Sequence, residues 1–480
     1  MKKTESKRSS PVFDLAVLGG GSAGYAAART AAAAGLNTVV IEGGKEVGGL
    51  CILRGCMPSK ALLYAAEVLH LARHAKTWGL RIPKAGFDFK AVMARKNAMV
   101  AEFADDRRKS LSAGKFEFTR ASASFVDSHT VALNNARGDA PRTVNAKHFV
   151  VCAGSVTAPA QVQGLEEVGF MTSDEALSLR KLPRSLIVLG GGPVAVELAQ
   201  FFCRFDVDVT LIQRGEHLLR EFDTDAAAVL ERVLQSEGIR LWTGTQLLEA
   251  FRDGRRKGIA FQHRGRTRRV AAEEILFASG RVPATAGLEL ARAGVQTDSG
   301  RIITNAQMQT SAPHIYAAGD CTGPHQIVHI AVEQGEIAAH NIAHPGAKRL
   351  MDYRLLTSVV FTDPQVAAAG LTEKAARERK IAYRAASYPF NDHGKSLIME
   401  AKEGFVKLLA DPVSGEILGG ACAGPFGGEL IHEIIAAMRQ WMTVGDLAAM
   451  PHYHPTLAEI WTYPASDLAA SQGNSQNWPG

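Results

Sequence analysis

No apolar run in this chain approaches the ~20 residues needed to cross a bilayer, which excludes a helical membrane protein. The charged and polar start, Met1 to Ser10, is followed by no apolar stretch of signal-peptide length, so the sequence reads as a cytoplasmic chain with a frayed beginning. Cysteine is scarce: six in 480 residues are too few for a secreted disulfide scaffold. Charge of one sign is scarce too. Fifty-four Lys and Arg against 48 Asp and Glu leave +6 over the whole length, with no dense basic block interleaved with aromatics. Nucleic acid is therefore not an expected partner. The short cluster Arg264 to Arg269 reads as a solvated hairpin face. Low-complexity sequence is confined to the polar tail after about Ala469. What remains is ordinary for a globular enzyme: 46% hydrophobic and 21% charged residues, which excludes a disordered, collagenous or coiled-coil chain. At roughly 150 residues per domain, the length suggests about three domains.

Two segments share one pattern: an apolar strand, a Gly-rich turn and an Ala-containing helix. The first is Leu15 to Leu18 followed by Gly19-Gly20-Gly21-Ser22-Ala23-Gly24. The second is Leu186 to Leu189 followed by Gly190-Gly191-Gly192-Pro193-Val194-Ala195. Each leads on to a second apolar strand, Thr38 to Ile41 and Val209 to Ile212. These read as two βαβ units. The first glycine makes the tight turn, the second lets backbone approach a pyrophosphate, and the third place needs a small residue for helix–strand packing. The helix N-terminus offers N–H groups and a positive dipole to phosphate. One such turn could belong to any α/β core; two in matching contexts point to nucleotides.

Glu42 ends the second strand of the first unit, where an acidic residue can accept a ribose hydroxyl pair, unless it is a free surface carboxylate. The corresponding place in the second unit is Gln213, followed by Arg214, with Arg220 further on. An absent acid and a present arginine favour a 2′-phosphate, hence NADP(H) over NAD(H), unless both arginines are solvated surface charges. Later, Ile315 to Ala318 reads as a buried strand ending in Gly319-Asp320. After about Met351 the character changes: Val359 to Phe361 and Gly404 to Leu409 read as strands, and Leu430 to Met442 as an amphipathic helix. This describes an α+β terminal domain of ~120 residues.

Cys152, Cys203, Cys321 and Cys422 are scattered and read as small core residues. Cys51 and Cys56 differ, because they sit in Gly48-Gly49-Leu50-Cys51-Ile52-Leu53-Arg54-Gly55-Cys56-Met57-Pro58-Ser59-Lys60. Pro58 suits the first turn of a helix running through Leu62 and Leu63. Cys56 then lies near that helix's N-terminus, where the dipole favours a thiolate. Lys60, four residues on, can share its face. Four intervening residues can close a disulfide ring if the first turn is distorted. A dithiol beside a nucleotide domain in a reducing compartment suggests a cycling, catalytic disulfide; the alternative is two unpaired core cysteines.

From about Phe13 to Leu468 the sequence resembles the FAD-dependent pyridine nucleotide–disulfide oxidoreductases, a family that includes dihydrolipoamide dehydrogenases, glutathione reductases and mercuric reductases. The run Gly-Gly-x-Cys-x4-Cys-x-Pro-Ser-Lys carries the resemblance. So do Ser279-Gly280-Arg281-Val282-Pro283, Ala318-Gly319-Asp320, and His452-Tyr453-His454-Pro455-Thr456 with Glu459. Within the family the pattern is most similar to dihydrolipoamide dehydrogenase. The resemblance implies an α/β fold of two Rossmann-like, doubly wound nucleotide-binding domains plus a C-terminal α+β dimerisation domain. Its expected bounds are 1–154 and 284–351 for the two parts of the FAD-binding domain, 155–283 for the NAD(P)-binding domain and 352–480 for the dimerisation domain.

It also implies roles by position. Gly19, Gly21, Gly24 and Glu42 would hold the adenosine half of FAD and Asp320 the ribityl chain, with Gly49, Gly154, Gly319 and Gly280 as further cofactor-contacting positions. Cys56 would be the flavin-side thiol and Cys51 the interchange thiol that meets substrate. Lys60 and Glu197 resemble the ion pair near flavin and nicotinamide. Gly190, Gly192, Arg214 and Arg220 would hold the nicotinamide dinucleotide. His454 would act as acid or base at the dithiol, oriented by Glu459, and would reach the disulfide of the other subunit in a homodimer. His452 reads as supporting; a metal site on His452 and His454 lacks a third ligand at suitable spacing. His329 reads as a packing residue.

Leu50, Leu53, Arg54 and Pro193 depart from the usual Thr, Asn, Val and aromatic of the family pattern. Arg54 could stabilise a thiolate, attract an anionic substrate or face solvent. The sequence is thus expected to encode an enzyme relaying electrons between NAD(P)(H), FAD, Cys51–Cys56 and a small dithiol or disulfide. The expected substrate is a lipoyl group, with a lipoyl carrier protein as a candidate partner. The alternatives are a glutathione-type or other NADPH-dependent disulfide reductase, a mercuric reductase, and a redox-sensing flavoprotein subunit without turnover.

Overall fold

The computed structural model describes residues 12–134 and 142–471. The frayed start and the end of the polar tail lie outside the described residues. The chain packs as two units. One comprises residues 1–58, 95–158 and 281–352, the other 59–94, 159–280 and 353–480.

The first unit is built on a seven-stranded sheet. The strand Val12–Leu18 lies between Thr38–Glu42 and Arg142–Val151, parallel to both, with Val17 opposite Val40 and Val150. Glu117–Arg120 extends the sheet beyond Thr38–Glu42, and Ile315–Ala317 adds a parallel strand beside Phe149 to Val151. Thr38–Glu42 is buried on both faces, as a strand in a doubly covered parallel sheet must be, which explains its unbroken Val-Val-Ile run. The helix Ser22–Ala33 covers one face, and its small alanines let it lie close against the strands and the helix Val328–Ala343.

The second unit repeats the motif in a four-stranded parallel sheet, in the order Arg240–Trp242, Asp208–Ile212, Ser185–Leu189, Glu274–Phe277. The helix Pro193–Arg204 follows the turn, with proline at its start. Arg264 to Arg269 falls at the turn between the antiparallel strands Arg256–His263 and Arg266–Ala272, a solvated hairpin as expected. Past residue 353 a five-stranded antiparallel sheet, ordered Thr357–Val360, Gln365–Gly370, Ile417–Gly424, Phe405–Ala410 and Arg384–Pro389, packs against the helices Gly427–Arg439 and Thr462–Ala470. Both expected strands are present. The expected helix Leu430 to Met442 is shifted toward the N-terminus. It opens at Gly427 and ends by Gln440, because Trp441 adopts a left-handed φ of 57° that no α-helix continues. Cys152, Cys321 and Cys422 are buried core residues. Cys203 is only partly buried, its thiol directed at the Glu237 carbonyl at 3.3 Å.

Among the described residues, no helix is long and apolar enough to cross a membrane.

Candidate active site

The Gly-rich turn after Leu18 is shaped by contacts that exclude side chains. A Cβ on Gly24 would collide with the Gly19 carbonyl, so a small residue is obligatory where the helix leaves the strand. Glu42, nearly buried at the end of its strand, accepts the Gly20 amide at 2.8 Å and the Gly44 amide at 2.6 Å. Its carboxylate is thereby fixed at the mouth of the turn, and is no free surface charge. Gly49 has φ +73°, and a Cβ there would lie 2.8 Å from Gly21 Cα. The start of the cysteine segment and the phosphate-type turn therefore touch backbone to backbone. Gly154 ends the stretch after Arg142–Val151 with φ +72°.

Cys51 and Cys56 do not share one helix. Cys51 lies in the short helix Gly49–Arg54, Gly55 breaks the backbone at φ −128°, ψ −114°, and Cys56 opens the helix Cys56–Arg73. This break is the distortion that five-residue spacing demands, and it brings the two sulfurs into hydrogen-bonding contact. That contact, then burial, pushes the Cys51 thiol well above its ordinary range, while the Arg107 guanidinium pulls the other way. Arg54 is exposed. A guanidinium charge acts on Cys51 from Arg107, on the distant helix Phe89–Ser112.

A second polar knot in the same unit joins Asp320 to Ser155, whose hydroxyl donates to Asp320 Oδ2 at 2.6 Å. Arg281 holds Ser155 through its hydroxyl at 2.9 Å and its carbonyl at 2.7 Å. Gly319 N–H donates to the buried Gln334 Oε1 at 2.8 Å. Asp320, half-buried and pre-set by this network, has the acceptor character to hold hydroxyls of a bound nucleotide.

In the second unit Lys60 Nζ lies 2.9 Å from Glu197 Oε2 and 4.6 Å from the Phe361 ring centroid. Glu197, only 5% exposed, also accepts the Phe361 amide at 2.9 Å. A buried carboxylate held by both a cation and an N–H fixes the lysine in place. The second Gly-rich turn places Gly190 at φ +130°, while a Cβ on Gly192 would meet nothing, leaving open space at the helix start where backbone amides can receive phosphate. Gly280 (φ +117°) follows the neighbouring strand Glu274–Phe277. Gln213 bends back, its Oε1 accepting the Arg214 amide at 3.0 Å. Arg214 is exposed, and Arg220 is exposed with Glu221 at 3.5 Å, so the two arginines are not joined by any contact with each other.

His454 sits in a loop before a cis peptide bond to Pro455, and a 3-10 turn begins at Ala458. Its Nδ1 is 3.0 Å from Glu459 Oε2, and the ring is 77% exposed, leaving Nε2 available. Glu459 is 10% exposed. Its other oxygen lies 3.4 Å from Nε2 of the fully buried His393, whose Nδ1 contacts Ser396 Oγ at 2.8 Å. The 3.4 Å contact is long and does not meet hydrogen-bond geometry. Burial lowers the His393 pKa and Glu459 only partly offsets this, so the ring is neutral near pH 7. His452 is engaged by Glu433 at 2.6 Å, which fits a supporting part.

Two family models match the chain. That of the pyridine nucleotide-disulphide oxidoreductases covers residues 13–335, and the dimerisation domain of the same group covers residues 356–465. The chain belongs to the pyridine nucleotide-disulphide oxidoreductases. It is a flavoprotein disulfide oxidoreductase of mixed α/β fold with a C-terminal dimerisation domain, and its family implies FAD and a pyridine nucleotide. It is 36% identical over 451 residues to a dihydrolipoyl dehydrogenase of Thermus scotoductus, covering 93% of this chain and 95% of the relative. It is 33% identical over 449 residues to a mercuric reductase of Bacillus cereus, covering 93% of this chain and 70% of the relative. Among solved structures, LpdA of Mycobacterium tuberculosis superimposes with a TM-score of 0.85 at 28% identity, over 95% of this chain and 99% of that one.

The chain's residues fit such cofactors: Glu42 and Asp320 are pre-set polar groups at glycine turns, and Gly192 leaves open space at a helix start. Sequence reasoning missed Arg107, Tyr25, Ser155, His393 and Ser396. None stands in a motif. Only a charged or polar residue facing the interior could have marked them, and that facing is a tertiary property.

Proposed function

We propose that this oxidoreductase moves an electron pair between NAD(P)(H) and a small dithiol or disulfide of the lipoyl kind, through Cys51 and Cys56. FAD, when bound, supplies the two-electron relay between nicotinamide and sulfur. The observation that carries this reading is the pair of sulfurs in contact at a helix start, one of them under the influence of a guanidinium. In the reductive direction, reduced Cys51 attacks one sulfur of the substrate disulfide. A mixed disulfide forms and the other substrate sulfur leaves. Cys56 then attacks Cys51, restoring the internal disulfide and releasing the second substrate thiol. One NAD(P)H and one proton are consumed per disulfide reduced to two thiols.

His454 gives or takes the proton at the substrate sulfur, with Glu459 holding its Nδ1. Glu42 would hold the nucleotide half of the flavin cofactor and Asp320 its polyol. Lys60, fixed by Glu197, would supply a positive charge to the flavin and nicotinamide. Residues 1–154 and 284–351 would carry FAD, 155–283 the nicotinamide dinucleotide and 352–480 the contact of a homodimer, in which His454 serves the disulfide of the partner subunit. The match to the family's dimerisation domain supports the dimer. Gln213 and Arg214, where an acid would suit NAD(H), favour NADP(H), and with it an NADPH-dependent reductase of a small disulfide as the second reading.

Anaerobic titration of the purified protein with NADPH, NADH and dihydrolipoamide, followed by visible absorbance, tests the relay. The expected result is a long-wavelength thiolate–flavin band that disappears in Cys56→Ser. A colourless protein, or a band that persists in that variant, overturns the reading.

A further inference from the structure

We propose that Arg107, stacked on Tyr25, holds an anionic group of the sulfur substrate beside Cys51, so that the enzyme prefers disulfides bearing negative charge near the reacting sulfur. This rests on the disulfide relay above and, because a lipoyl amide is uncharged near its sulfurs, it favours the second reading there, the reductase of a small disulfide, and names that disulfide's class. Arg107 lies on the helix Phe89–Ser112, and its guanidinium sits 4.2 Å from the ring centroid of Tyr25, on the helix Ser22–Ala33. The side chain is half-buried, and its Nη1 is sealed from solvent without a hydrogen-bond partner. The nearby carboxylates are otherwise engaged. Asp105 holds Lys109 at 2.7 Å and Arg108 at 3.0 Å, and Glu336 holds Arg29 at 2.7 Å. Among the described residues Arg107 thus has no counter-ion.

A partly desolvated cation without one is costly, and such a group calls for a partner that arrives from outside. Cys51 lies within electrostatic reach, so the missing anion belongs at the substrate's sulfur. The aromatic face fixes the plane of the guanidinium in advance, which lowers the ordering cost of binding. Its planar fork matches a carboxylate or phosphate better than an ammonium would. A neutral dithiol gains nothing from this group, and a cationic one is repelled.

The test compares alkylation of Cys51 by iodoacetate and by iodoacetamide in the FAD-loaded, anaerobically reduced enzyme, read by peptide mass. The iodoacetate-to-iodoacetamide rate ratio is expected to exceed that of a small free thiol by about tenfold, to fall to the free-thiol value in Arg107→Gln and to survive largely in Arg107→Lys. Turnover of dithiodipropionate, hydroxyethyl disulfide and cystamine should descend in that order in the native enzyme and level out in Arg107→Gln. A ratio unaffected by Arg107→Gln, including the case where both reagents slow equally, overturns the proposal. So does loss of bound flavin in that variant without a change in ratio, which would give Arg107 to the cofactor. An Arg107-dependent ratio with no turnover of any disulfide supports the anion subsite and overturns the relay instead.

Discussion

His454 and His393 share one carboxylate: Glu459 meets the exposed ring of the first at 3.0 Å and the buried ring of the second at 3.4 Å, through different oxygens. With Nε2 of His393 facing a carboxylate, we assign its proton there, leaving Nδ1 to accept the Ser396 hydroxyl. Glu459 is therefore held from behind while it orients the ring in front. His454→Gln should cut dithiol turnover by about 10²–10⁴-fold and leave nicotinamide-driven flavin reduction intact. In His393→Leu the ring behind Glu459 is lost, so the pH–rate profile of dithiol turnover should shift. His393→Asn, which keeps a donor, should shift it less. Identical profiles for all three proteins would refute the positioning role.

The nicotinamide preference can be read at Arg214. Arg214→Glu should raise KM for NADPH by about tenfold while KM for NADH stays within about twofold. Steady-state kinetics with each nucleotide decides it, and an equal loss for both would mean that Arg214 does not meet the 2′ position.

Lys407 is a buried cation, 4% exposed, surrounded by Asp223 at 2.9 Å, Asp225 at 2.8 Å and Glu373 at 2.9 Å. Although burial opposes it, these partners raise the Lys407 pKa, and its charge helps hold the Asp223 and Glu373 carboxyls below their usual range. Lys407→Met strands the carboxylates and should cost about 3–5 kcal/mol at neutral pH, measured by urea unfolding. Carboxyl pKa values lower in the folded than in the unfolded state give stability that is present above about pH 4 and is lost on further acidification. The variant should therefore show a smaller loss across that acid range than the native protein.

Burial lowers the His70 pKa to about 4, with Arg204 and His74 adding to the shift. Its folded value lies below the unfolded one, near 6.5, so the unfolded chain binds the extra proton and stability falls as pH drops from about 6.5 toward 4. His393 acts in the same direction. The urea midpoint should be lower at about pH 5 than at about pH 7, and His70→Asn should reduce that difference. An unchanged difference would exclude His70 as a contributor.

The chain's own order of residues determined whatever depends on backbone within a few positions. The glycine turns at Gly19 and Gly190, the apolar runs of the parallel strands and the pairing of Cys51 with Cys56 across a broken helix were legible because sterics and periodicity act locally. His454 with Glu459, five residues apart, belongs to the same class. The Lys60–Glu197 pair was legible only through the family resemblance, and tertiary structure alone decided that Ser155 meets Asp320, Arg107 meets Tyr25 and His393 lies behind Glu459. It also decided that Arg107, from a distant helix, acts on the Cys51 thiol. The reason is that burial and electrostatic neighbourhood are set by how helices and sheets pack, and a single residue in a helix carries no local mark of what will face it.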